Sequence, residues 1–354
     1  MTDLKTAPRG WASRAKHEGG VKETPITPAP SPRTGEGTKP GWDGPTYYGR
    51  GQLKPAPFNV WVVGAYIWIA GLGGSASLLS GLAEVVDSRR FEAVARRGRY
   101  IATLAPVLGA PLLIWDLHTP KRFYNMLRVA KPTSPMSIGT WILMAFSGGS
   151  MPAAAAQFLA DRAPGLGWMR TVARVAHAPA AASGAGLSVY TAGLLSATST
   201  PSWAAVPRSL AVRFGASSVA AGASALLVGE RDPSVRRVLQ TIAVSGLAVE
   251  LAAGAVHDAT LKDKGVGEAM HTPWGRAERL CATALGAALP LALFGLSLAG
   301  GRKADRRLGD LAAVLAIGGS AALKIATLGV GHESASRPEI SFRFSRPENL
   351  PKET

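Results

Sequence analysis

At 354 residues, 47% hydrophobic and only 18% charged, the chain carries fewer charges than the roughly 25% usual in a soluble domain, which points to the membrane. A net charge of +16, from 39 basic against 23 acidic residues, would suit a nucleic-acid partner. The basic residues instead sit in the tail and in short connections between apolar runs, as topology signals do, and that distribution excludes nucleic acid.

Residues 1–40 are rich in Pro, Gly, Thr, Lys and Arg and nearly devoid of large aliphatics; such a tail is expected to be disordered. No apolar stretch of signal-peptide type lies there, so the first spanning helix is expected to act as the insertion signal. Residues 41–58 carry Trp42, Tyr47, Tyr48 and Phe58 among Pro and Gly, as an interfacial aromatic belt does, or as a docking strip for a soluble partner.

Asn59–Val86 then runs without a charge until Glu84 and holds Gly71, Gly73, Gly74, Ser75, Ala76 and Ser77 in its middle. It exceeds the roughly 20 residues needed to cross the hydrocarbon, and its small residues suit close helix–helix approach in lipid. Seven more apolar runs follow, over 100–115, 135–160, 175–198, 210–228, 235–256, 280–299 and 308–330. The second contains Pro106 and Pro111, tolerable in a spanning helix whose neighbours re-satisfy the freed carbonyls. The expected fold is therefore an all-α integral membrane protein of eight transmembrane helices. The domain spans 59–330 and is followed by an extramembrane tail over 331–354. The seventh run holds the one cysteine, Cys281, which excludes a disulfide framework and leaves no thiol set for an iron–sulfur cluster in this chain.

Connections after runs 1, 3, 5 and 7 hold five, three, three and four Lys/Arg, whereas those after runs 2, 4 and 6 hold four, one and four. The positive-inside rule places the first set in the cytoplasm and both termini outside; the basic tail argues the other way. GGSASLLSG at Gly73–Gly81 also echoes AGASALLVG at Ala221–Gly229. The two strings lie in helices that cross in the same direction, as a parallel duplication into two four-helix bundles requires.

Ionisable groups inside spans are expensive and mark function by default. They are Tyr66, Tyr190, Arg213, Glu250, His257 and Lys324, with Asp116 and His118 just past run 2. Placed by distance from the helix ends, nearly all fall in the half-membrane facing the termini, with Glu250 nearer the midplane; Glu84 and His177 fall on the opposite side. Bland roles stand beside the functional ones: interface aromatics for Tyr66 and Tyr190, a helix cap for His257, an outward-snorkelling amine for Lys324. A pocket of carboxylate, His, Tyr and basic groups suits a quinone, whose carbonyls accept hydrogen bonds and whose reduction takes up two protons. A haem is not expected, because His177 and His257 lie at opposite depths and bis-histidine ligation needs them level. A secondary transporter fits the broken, small-residue helices as well.

YYGRGQLKPAP before the first run, YIWIAGLGGSASLL within it, DLHTPKRFYNMLRVAKPTSPMSIGTWIL between runs 2 and 3 and SVYTAGLLSATSTPSW at the end of run 4 resemble the NrfD/PsrC family, the membrane subunits of polysulfide-reductase-type complexes. LGAALPLAL and LKIATLGVGHESASRP extend the resemblance to Pro338. It implies a haem-free quinone-binding subunit, for menaquinone or ubiquinone, in the inner (cytoplasmic) membrane. A four-cluster ferredoxin-like iron–sulfur subunit would dock on it and link it to a molybdopterin or multihaem catalytic subunit. By the same resemblance Tyr66 stands at the family's helix-1 His or Tyr near the quinone, and Asp116 and Arg122 match the ends of its D-L-x-x-P-x-R-F motif. Tyr190 matches the helix-4 tyrosine, and Lys324 falls where the last helix often has a basic residue. The family's Gly-Arg after Asp-Leu is replaced by His118-Thr119, which makes His118 a substitute proton donor. The expected site therefore combines Tyr66, Asp116, His118, Arg122 and Tyr190 at the quinone with a relay through Glu250, His257 and Lys324, between helices 1, 2, 4, 6 and 8. A transporter or a purely structural anchor is the alternative.

Overall fold

The structure, a computed structural model, describes residues 53–349 apart from 118 and 301. The expected tail over 1–40 and most of the segment 41–58 lie outside the described residues. Every regular element among those described is helical. Eight long segments succeed one another: α1 Val60–Val86, α2 Glu92–Trp115, α3 Pro135–Arg162, α4 Met169–Ser196, α5 Pro207–Leu227, α6 Pro233–Asp263, α7 Pro273–Ala299 and α8 Arg302–Ser336.

Seven of the eight are long and apolar enough to cross a membrane, against the eight expected. The exception, α4, is as long as its neighbours, but small and hydroxyl residues dilute its apolarity. Proline at the first position opens α3, α5, α6 and α7, where the missing N–H costs nothing. α1 starts at Asn59, whose Oδ1 accepts the N–H groups of Trp61 and Val62 at 3.0 and 3.1 Å. In α2 a π turn over Ala105–Gly109 absorbs Pro106, and a longer π stretch, Glu278–Ala288, forms the middle of α7.

Within α1–α4, α1 packs on α2 and α4, and α3 packs on α2 and α4; α5–α8 repeat the same ring of neighbours. The two four-helix bundles meet where α1 touches α5 and α8 and where α4 touches α5. Gly74 of α1 presses on Gly184 of α4, where a Cβ would stand 2.7 Å from a carbonyl oxygen. Gly222 of α5 presses equally hard on the α1 backbone at Ala76. Small residues are what permit such approaches in lipid.

The side on which α1 begins is called the start face below, the other the far face. Two expectations about boundaries need correction. α2 begins at Glu92 and not near Tyr100, so Arg96, Arg97 and Arg99 are helical and not loop residues. Arg99 is buried and bonds Glu84 at 2.6 Å and Gln157 at 2.5 Å. Glu84 also takes Arg174 at 2.9 Å, and Asp161 takes Arg96 and Tyr100, so the far ends of α1–α4 are laced together. α8 runs to Ser336, which brings His332 into the helix, beside Trp203 at 6.4 Å between ring centroids.

Candidate functional site

Toward the start face, α1–α4 and their connections line a cavity of about 520 Å³. Its walls are mostly apolar, with Ile67, Leu113, Leu143 and Leu195 among them. Two phenols face it. Tyr66, seven residues into α1, and Tyr190, near the end of α4, share a hydrogen bond of 2.8 Å between their hydroxyls. Tyr66 is almost fully buried, and its ring lies against Gly109 in the π turn of α2. The Tyr190 ring packs against Gly139 of α3, where a Cβ would come within 2.0 Å of it. The bare backbone at Gly139 is therefore what lets the second phenol reach the first.

Asp116 caps the end of α2, lines the same cavity and accepts the Asn59 N–H at 3.0 Å. That bond ties the end of α2 to the start of α1 and holds a carboxylate in the cavity wall. Phe123, Met126 and Leu127, on the segment leading to α3, close the side toward the start face.

Tyr66, Asp116 and Tyr190 are thus brought together. His118 lies outside the described residues. Arg122 stands exposed in the 3₁₀ turn Pro120–Arg122 and does not line the cavity. Glu250, His257 and Lys324 do not line it either. The expectation of one niche between helices 1, 2, 4, 6 and 8 gives way to two clusters, and α3 supplies the cavity wall that α6 and α8 were expected to supply. The reason is the packing: α6 lies against α5 and α7, inside the second bundle.

The charged and basic side chains of the second cluster are buried. Lys324 does not snorkel; its Nζ donates to Ser320 Oγ at 2.9 Å and sits 5.3 Å from the centre of the Phe214 ring. Ser320 bonds Ser217 at 3.1 Å, and Ser217 reaches the Glu250 carboxylate. Arg213 pairs with Glu278 and donates to Thr283 at 3.2 Å. His257 Nδ1 and Arg213 Nε, both buried, have no partner among the described residues. Between the cavity and the far face run two further buried bonds, Ser75–Ser188 at 2.8 Å and Ser77–His177 at 3.0 Å.

Glu278 lies just ahead of the apolar run 280–299, although α7 itself starts at Pro273, so hydropathy does not mark it as a residue inside a span. Asn59 and Gly139 go unmarked because a cap and an absent side chain carry no hydropathy signal; the Asn-then-apolar pattern at 59–60 was the available cue for the first.

Comparison with curated proteins and with solved structures returns no match. Residues 50–254 match the model of the family described as polysulphide reductase, NrfD. The match takes in more than half of the chain, from before α1 into α6, and includes Tyr66, Asp116, Tyr190 and Glu250; His257 and Lys324 lie beyond it. This multi-pass membrane protein belongs to the NrfD polysulphide reductase family.

Proposed function

We propose that this membrane subunit of a respiratory oxidoreductase binds quinone or quinol in the cavity of the first bundle. There it exchanges electrons between the quinone pool and an iron–sulfur partner. The observation that carries the reading is the Tyr66–Tyr190 hydroxyl pair in the wall of an otherwise apolar cavity. Apolar walls suit a quinone ring, and a few placed polar groups fix its orientation. A bound quinone would supply the two-electron, two-proton couple.

The chain's own groups do the rest. In the phenol pair one hydroxyl donates to the other, which leaves a single O–H to donate toward a ligand carbonyl. Asp116 stands at the cavity wall as a carboxylate able to exchange a proton with the start face. Arg122, on the exposed turn beside it, would meet a docking partner or the rim. Glu250, Lys324 and His257 form a relay in the second bundle, apart from the binding cavity. The partners we propose are a four-cluster ferredoxin-like subunit and, through it, a molybdopterin or multihaem catalytic subunit, with the start face extracytoplasmic on the inner membrane.

Tyr66→Phe and Tyr190→Phe test the reading in the purified full-length chain. Each removes one hydroxyl, and loss of one hydrogen bond of about 1–1.5 kcal/mol weakens menadione binding by roughly tenfold. Displacement of the fluorescent quinone-site probe heptyl-hydroxyquinoline N-oxide reads the affinity. Unchanged affinity in both variants would leave a structural anchor as the better account, and solute uptake by the wild-type chain alone in liposomes would favour a transporter.

A further inference from the structure

The cavity is not closed on all sides. α2 and α3 converge toward the far face, where the first half of α2 packs on α3. Toward the start face they part: the last turns of α2, Ala110–Trp115, lean on α1 instead. The divergence begins at the π turn Ala105–Gly109, which holds Pro106 and is followed by Pro111, and π turns and prolines are where helices bend.

One wall of the resulting gap is a stripe on α3. Thr140, Met144, Ser147, Gly148 and Met151 fall at i, i+4, i+7, i+8 and i+11, on one helix face, and all line the cavity that Tyr66 and Tyr190 line. Met144 and Met151 are also 40% and 48% exposed although they stand in the middle of the span Pro135–Arg162, so the cavity is open at the depth of the hydrocarbon, where α2 and α3 part. A Cβ built on Gly148 meets no atom within 4 Å, so there is free space at that level. From Gly139, under the Tyr190 ring, to Met151 is twelve residues, about 18 Å along the helix. A quinone ring alone does not need that length. Methionine walls adapt to a flexible apolar chain.

We propose that this lateral gap seats a long apolar tail and is the portal through which an isoprenoid quinone reaches Tyr66 and Tyr190 from the bilayer, with Gly148 providing the room. The inference rests on the quinone reading of the cavity and adds the tail subsite and the route.

The test compares a tailed and a tail-less quinone on the full-length chain in lipid nanodiscs. Menaquinone and menadione each displace heptyl-hydroxyquinoline N-oxide from wild type and from the graded series Gly148→Ala, Gly148→Leu and Gly148→Trp. The expected result is that menaquinone loses at least about tenfold more affinity than menadione in the Trp variant, with Leu between, because only the tailed ligand must share the filled space. Equal losses for both quinones, or none for menaquinone, overturn the tail subsite while leaving the quinone reading in place. If neither quinone binds wild type, both proposals fall together. Should Gly148→Trp not fold, Gly148→Leu carries the same comparison at smaller amplitude.

Discussion

Arg213 and Glu278 show how a charge is kept inside this protein. Both side chains are at most 4% exposed, and they pair with each other across α5 and α7. Removing one member of such a pair strands the other and costs about 3–5 kcal/mol, whereas replacing both by apolar residues of similar volume is far better tolerated. Glu278→Gln is therefore expected to lower the thermal unfolding midpoint in detergent sharply, and the double variant Arg213→Met, Glu278→Leu to recover most of the loss. A single variant as stable as wild type would show that the pair is not the guanidinium's main support. Arg213 was visible from the sequence as a charge inside an apolar run. Its partner was not, because averaged hydropathy assigns a flanking acid to the connection, and nothing local reveals a counter-ion 65 residues away.

Helix ends in this fold are held by residues that a hydropathy profile passes over. α1 begins on Asn59, exposed at the start face, where its side chain caps the first amides and its own N–H goes to Asp116. Asn59→Ala removes the cap at a cost of about 1 kcal/mol but keeps the backbone bond to Asp116. Amide exchange at Trp61 and Val62 should accelerate while exchange in the middle of α1 stays slow; equal protection at those two amides would contradict the assignment. At the far face α5 ends on Val228, with Gly229 in the left-handed region at φ 79°, and two arginines complete the cap. Arg97 of α2 donates to the carbonyls of Leu226 and Val228, and Arg236 of α6 to those of Leu227 and Glu230, which satisfies the orphan acceptors every helix end leaves. The sequence shows these arginines as a basic cluster and invites a purely topological reading. Their carbonyl partners are set by tertiary packing and leave no local mark. Spans and prolines were legible because they are properties of single segments.

For the whole molecule, the echo between Gly73–Gly81 and Ala221–Gly229 corresponds to two bundles with the same ring of neighbours, and the echo itself lies at their joint. A Cβ on Gly222 would stand 2.8 Å from the Ala76 nitrogen and 2.8 Å from Ser75 Cβ, so any side chain there must push α5 off α1. The phenol pair lies elsewhere: Tyr66 is nine residues from Ser75, about 13.5 Å along α1, and the cavity walls come from α1–α4 and their connections, with no lining residue from α5–α8. Tyr66, Tyr190 and Asp116 were legible as candidates, but which helices wall the cavity was not, because ring closure of a bundle is decided between distant segments. That division makes stability and binding separable. Gly222→Ala should cost about 1–3 kcal/mol through overpacking, and Gly222→Leu more, read as a falling unfolding midpoint in detergent. Menadione affinity of the folded fraction should stay within about twofold of wild type, as for sites that share no partners. An affinity loss that tracks the loss of stability would mean that the bundles act as one unit and that the cavity is shaped by both.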